Sequence, residues 1–66
     1  MRNNLAERRG DRGWTQADLA RALGVSRQTV ISIERGRFDP SLPLAFLIAQ
    51  TFSCRIEDVF TAETTK

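Results

Sequence analysis

Between Thr15 and Gly36 the chain carries two helix starts and two helix stops in one short stretch. Thr15 precedes Asp18 by three residues, the spacing at which a threonine hydroxyl accepts an N–H of the first helical turn and a carboxylate approximates the reciprocal partner of a capping box. Ala17, Leu19, Ala20 and Leu23 then fall on or near one face, and Gly24 follows as the left-handed residue that ends the helix. After Val25, Ser26 caps another helix running to about Arg35, and Gly36 stops it. This helix has only Val30 and Ile33 as inward apolar positions, against an outer row of Arg27, Gln28, Thr29 and Ser32. Two short helices joined by a turn of three or four residues containing glycine give the outline of a helix-turn-helix.

The rest of the chain parses into three more short helices. The first, about 3–11, draws its apolar content from Leu5 and Ala6 and carries Gly10, which costs ~1 kcal/mol relative to alanine in a helix interior, so it depends on packing. Residues 37–40 form a loop, because Pro40 biases Asp39 away from helical angles. Ser41 caps the fourth helix, and Pro43 sits in its first turn, where the missing N–H had no intrahelical partner. Ile48, Phe52, Ala45, Ala49 and Leu42 form its apolar stripe, Leu44 and Phe46 lie at the margins, and Leu47 falls in the polar arc. A short fifth helix near 56–61 presents Ile56, Val59 and Phe60. No run of alternating β-branched residues lasts four positions, so no strand is expected. The expected architecture is an all-α, compact five-helix bundle forming one domain over 1–66, with a core of about 3–61 and a short polar tail at 62–66.

At 66 residues such a domain buries roughly 60% of its unfolded surface, so its stability is marginal. With one cysteine, Cys54, and no histidine, the chain has no ligand set for structural zinc and no internal disulfide, which is compatible with a reducing cytosol. The longest apolar run, Leu44 to Ala49, falls far short of the ~20 residues needed to cross a bilayer, and the polar N-terminus has no signal-peptide core. The expectation is a soluble, cytoplasmic protein without metal or cofactor. Scattered acids, absent histidine and no phosphate-binding glycine loop argue against an enzyme, and no small-molecule ligand is evident. Charge is uneven: residues 1–37 hold eight arginines and four acids, a balance of +4, while residues 38–66 hold two basic and four acidic residues, a balance of −2. The outer row lies in the basic half, and nine of the ten basic residues are arginine, whose planar fork suits phosphates and guanine edges.

Leu5 with Arg9, then G-W-T-Q-A-D-L-A (13–20), L-G-V-S-R-Q-T-V (23–30), I-E-R-G (33–36), P-S-L (40–42) and I-E-D-V-F (56–60), all in register, give the chain its resemblance to a family. Over residues 5 to 60 it resembles the phage repressor/Cro-type (XRE-like) helix-turn-helix DNA-binding proteins. The resemblance implies the lambda-repressor-like five-helix fold, sequence-specific binding of double-stranded DNA, and action as a small transcriptional regulator, with repression as the family expectation. It also implies a homodimer on a pseudo-palindromic operator. Gln16 matches a glutamine that reaches the DNA backbone or a base edge, and Ser26, Arg27, Gln28 and Ser32 match base-reading positions. Physical chemistry agrees: a major groove about 12 Å wide admits one helix, arginine pairs with guanine and glutamine with adenine through two bonds, and each such pair discriminates by roughly 1–3 kcal/mol. Thr29, Arg35 and Arg37 are assigned to phosphates, which orient without conveying sequence. Arg9 and Glu34 match a structural ion pair.

Several positions keep two readings. Arg2, Arg12 and Arg21 are solvated charges or phosphate contacts. Arg8 stands where the family is commonly apolar, so the first helix rotates or the arginine stem covers the core. Trp14 plugs the core between the first two helices or stacks on a base, Ser53 stands where glycine often ends the fourth helix, and Cys54 reads as a small buried residue. Ile31 meets a thymine methyl or packs at the turn. Leu47, Ile56, Val59 and Phe60 form a dimer interface or complete the core of the single chain. The alternative function is an antitoxin-like or protein-binding module using the same fold mainly for partner contacts.

Overall fold

The structure, a computed structural model, describes residues 1–62; the polar tail assigned from the sequence lies, from residue 63 onward, outside the described residues. Its order is β1 (Arg2–Asn3), α1 (Leu5–Asp11), α2 (Gln16–Leu23), α3 (Arg27–Glu34), α4 (Leu42–Thr51), α5 (Ile56–Val59) and β2 (Phe60–Thr61). The five helices enclose a core of Leu5, Leu19, Leu23, Val30, Ile33, Ile48, Phe52, Val59 and Phe60 with small alanines between them.

One turn recurs at four helix ends. In each, an N–H bonds to the carbonyl five residues earlier, as in a Schellman turn: Trp14 to Arg9, Val25 to Ala20, Arg37 to Ser32 and Cys54 to Ala49, at 2.9 to 3.1 Å. The residue before each donor has positive φ; three are glycines, and the fourth is Ser53 at φ 54°. Ser53 therefore occupies a left-handed position that disfavours a side chain. Starts are equally explicit: Ser26 and Ser41 accept the N–H groups of Thr29 and Leu44. Thr15 and Asp18 exchange both bonds of a capping box, at 3.0 and 2.8 Å. The bonds from Thr15, first its backbone N–H and then its hydroxyl, hold the Asp18 carboxyl below its ordinary range; Arg21 adds to this, against slight desolvation.

The chain is not purely helical. β1 and β2 form an antiparallel ribbon pairing Arg2 with Thr61 and Asn3 with Phe60. Two-residue strands are too short to show alternation, so the sequence pattern carried no sign of them. The ribbon also moves the start of α1 from 3 to Leu5, with Asn3 Oδ1 accepting the Leu5 N–H at 3.0 Å. At the other terminus α5 closes after one turn, because Phe60 turns extended to meet Asn3.

Other expectations need revision. Arg8 is half-buried on α1, and to its two readings the structure adds partners for the charge: its guanidinium donates to Asn4 Oδ1 at 3.1 Å and to the Asp58 carbonyl at 3.4 Å. Trp14 is half-buried and packs on the core, its ring tilted against that of Phe52 at the end of α4 with centroids 5.8 Å apart. Arg12 is not simply solvated, since its guanidinium lies 5.2 Å from the Trp14 centroid and 4.9 Å from that of Phe52. Arg21 pairs with Asp18. On α4, Ala45, Ile48 and Ala49 are buried as the stripe requires, but Leu42, at the very start of the helix, is 65% exposed.

Candidate nucleic-acid interface

α3 is held from one side. Val30 and Ile33 are fully buried against α2 and the core, which fixes the rotation of the helix about its axis. At 3.6 residues per turn the positions opposite that pair are Gln28 and Arg35, flanked by Ile31 and Ser32, with Arg27 at the edge of the same arc. Arg27, Gln28 and Arg35 are exposed, as is Arg37 just beyond the helix.

These side chains differ in how committed they already are. Among the described residues, Arg27, Arg35 and Arg37 make no ion pair with any acid, in contrast to Arg9 and Arg21. Ser26 and Thr29 are occupied with each other: their hydroxyls lie 2.9 Å apart while Ser26 Oγ also accepts the Thr29 N–H at 3.1 Å. Ser26, expected to read a base, thus serves first as the helix cap. Ile31 and Ser32 are half-buried. Trp14, Val25, Leu44, Cys54 and Ile56 pack on the core from its margins, whereas Ile31 stays in the row between Arg27 and Arg35.

A polar network sets α3 against α1 and α2. Glu34, with a side chain only 7% exposed, accepts from Arg9 Nε at 2.7 Å and Nη2 at 3.3 Å, and from Gln16 Nε2 at 3.0 Å. Arg9 Nη1 donates to the Trp14 carbonyl at 2.9 Å, so one guanidinium ties α1, the α1–α2 turn and α3 together. A carboxylate offers only acceptors, which forces the Gln16 amide to present its nitrogen inward and leaves Oε1 and one N–H outside. Sequence reasoning missed this bond because its partners lie on separate helices and no local spacing marks them.

The expected dimer residues separate. Val59 and Phe60 are 2% and 7% exposed and belong to the core of the single chain, because α5 packs against α4 and β2 pairs with β1. They offer almost no surface to a second copy. Ile56 is half-buried and borders, with Phe46 and Cys54, an open groove of about 430 Å³. Cys54 is half-buried rather than enclosed. Among the described residues the large exposed apolar side chains are Met1, Phe38, Leu42, Phe46 and Leu47, of which the sequence pattern hinted only at Leu47.

Among the described residues, no helix is long and apolar enough to cross a membrane, and no three potential metal ligands cluster.

Comparison with known proteins places this geometry. The Helix-turn-helix family model matches residues 5–59, most of the chain. An uncharacterized HTH-type transcriptional regulator of Methanocaldococcus jannaschii, MJ0272, is 56% identical over 63 residues, covering 96% of each chain. YgzD of Bacillus subtilis, with the same description, is 46% identical over 63 residues and again 96% of each chain, and an Archaeoglobus fulgidus relative is 47% identical over 60 residues, 91% of this chain and 86% of its own. Among solved structures, the hypothetical transcription factor NHTF from Neisseria superposes with a TM-score of 0.75 at 29% identity over 83% of this chain, which spans 62% of that protein's length. Capped α2, left-handed turn, outward-facing α3 and these matches agree, and the chain belongs to the XRE-type helix-turn-helix family.

Proposed function

We propose that the chain is a sequence-specific double-stranded DNA-binding regulator of transcription, working in the cytoplasm, with α3 inserted in the major groove. The observation that carries this reading is the outer row of α3: Arg27, Gln28 and Arg35 are exposed on a helix whose rotation Val30 and Ile33 fix. Arg27 and Gln28 supply the bidentate donors and acceptors that guanine and adenine edges match, with Ser32 beside them and Ile31 placed for a thymine methyl. Gln16 adds its free amide oxygen from α2. Thr29, Arg35 and Arg37 contact phosphates. Repression is the mode of action that the family resemblance favours.

The regulator acts as a homodimer. A single small basic face discriminates poorly, whereas two copies read two half-sites one helical turn apart, ~34 Å, on a pseudo-palindromic operator. The interface residues are Phe46, Leu47 and Ile56, with Leu42 adjoining; the burial of Val59 and Phe60 removes them from it. Selection of duplexes from a random pool by the purified protein tests the reading. Enrichment of an inverted repeat with half-sites one turn apart supports it, and recovery of unenriched sequence at every salt concentration overturns it.

A further inference from the structure

A hollow of about 320 Å³ opens beside the end of α3, bounded by Met1, Arg2, Asn3, Glu34, Arg35 and Gly36. The acids around it are engaged: Glu34 holds Arg9 and Gln16, and Asp39 lies 3.3 Å from the terminal amine of Met1. Two of the residues that line it, Arg2 and Arg35, are exposed arginines with no ion-pair partner among the described residues. Two arginine forks beside one polar hollow, with the neighbouring carboxylates already paired, fit a phosphate oxyanion.

The placement of Arg2 is built in. Its backbone pairs with Thr61, and its neighbour Asn3 donates from Nδ2 to the Ile33 carbonyl at 2.8 Å, clamping the ribbon to the last turn of α3. Met1 approaches so closely that a Cβ on Gly36, itself at φ 74°, would lie 3.2 Å from the Met1 carbonyl oxygen. A side chain at 36 would push the ribbon away. Arg35 also belongs to the outward face of α3, so a duplex seated on that face passes the hollow.

We propose that Arg2 and Arg35 together hold one backbone phosphate of the bound duplex, at the end of the groove segment that α3 reads. This rests on the DNA-binding reading above and extends the contact surface from the helix-turn-helix to the terminal ribbon. The contact is independent of sequence: it sets how far α3 advances along the groove and adds to the salt dependence of binding.

The test uses the full chain and a duplex that the wild type has enriched from a random pool. Arg2→Ala keeps the ribbon, which pairs through backbone groups, and the amide resonances of residues 2–3 and 60–61 check that it does. The expected result is an unchanged base preference with a salt slope shallower by about 0.9, one phosphate on B-DNA, which makes the affinity loss between 50 and 200 mM salt about 3.5-fold smaller. Neutralising single linkages as methylphosphonates is expected to reveal one position that weakens the wild type but not Arg2→Ala or Arg35→Ala, and the double variant is expected to lose less than the product of the single losses. A wild-type slope in Arg2→Ala, or fully multiplicative losses mapping to different linkages, overturns the shared-phosphate site while leaving DNA binding in place. Inorganic phosphate, titrated at constant ionic strength, separates a free-anion pocket from a DNA contact: saturable shifts of the Arg2 and Arg35 amides without any effect of Arg2→Ala on DNA binding overturn the proposal. Failure of the wild type to enrich any duplex instead removes the DNA-binding reading on which it rests.

Discussion

Replacing Arg9 by methionine leaves the Glu34 carboxylate, 7% exposed in its side chain, facing the interior with only the Gln16 amide as a donor. The substitution removes two bonds to that carboxylate, at 2.7 and 3.3 Å, and a third to the Trp14 carbonyl at 2.9 Å. Breaking one side of a buried pair costs ~3–5 kcal/mol, most of it from the stranded charge. A chain of 66 residues has a total stability of about 3–10 kcal/mol, so the loss takes a third or more of it. With an unfolding entropy near 0.14 kcal/mol per kelvin for this length, a 3 kcal/mol loss lowers Tm by about 20 °C. Urea titration followed by Trp14 fluorescence and far-ultraviolet circular dichroism measures it. The double variant Arg9→Met with Glu34→Leu removes both charges and is expected to recover at least half of the loss. A loss below about 1 kcal/mol in Arg9→Met, or a double variant no better than the single, would refute the view that a buried charge, rather than shape alone, fixes α1 against α3.

Four further perturbations probe other parts of the account. Thr15→Ala removes the cap of α2 and is expected to cost about 1 kcal/mol in thermal or urea unfolding, with no change in compactness. Because the Asp18 carboxyl is held below its ordinary range, its contribution is fully present above the unfolded value of about 3.9 and is lost as pH falls through the lower folded value; Asp18→Asn is expected to flatten that acid limb of a stability-against-pH profile. Ser53→Gly relieves a left-handed side-chain position at φ 54° and is expected to raise stability by about 0.5–1 kcal/mol, after the greater flexibility of glycine in the unfolded chain is offset; a loss on urea titration contradicts the strain. Placing charge on the exposed apolar face with Phe46→Lys and Leu47→Lys is expected to shift sedimentation from dimer to monomer while leaving the circular dichroism spectrum intact, and an unchanged mass locates the interface elsewhere.

The parts of this fold that read directly from sequence are those specified by neighbours in the chain. Thr15 and Asp18, Gly24, Ser26, Gly36 and Ser41 act within a turn of their own positions, and the structure uses each at the helix end where it was expected. The inward faces of α2 and α3 follow from helical periodicity in the same way. What stayed hidden depends on partners far along the chain. The ribbon joins residues 2–3 to 60–61, and two paired residues carry no period. The Gln16–Glu34 bond, the tilt of Trp14 onto Phe52 and the stacking of Arg12 all cross between elements. Val59 and Phe60 illustrate the opposite ambiguity: an apolar cluster looks the same in sequence whether it fills its own core or waits for a second copy, and only the packing of α5 on α4 and the pairing of β2 with β1 decide it. For the candidate interface, the outer row of α3 was legible as a row without inward partners, whereas the engagement of Ser26 with Thr29 and the nearness of Arg2 to Arg35 emerge only in three dimensions.

The central claim is that the outer row of α3 reads bases. The most direct measurement compares the motifs enriched from one random duplex pool by the wild type, Arg27→Ala and Gln28→Ala, with folding verified for each. Each variant is expected to lose roughly 1–3 kcal/mol of discrimination at one or two adjacent base pairs while the half-site spacing and the remaining positions persist. Identical motifs and identical base preferences from all three proteins would contradict the claim.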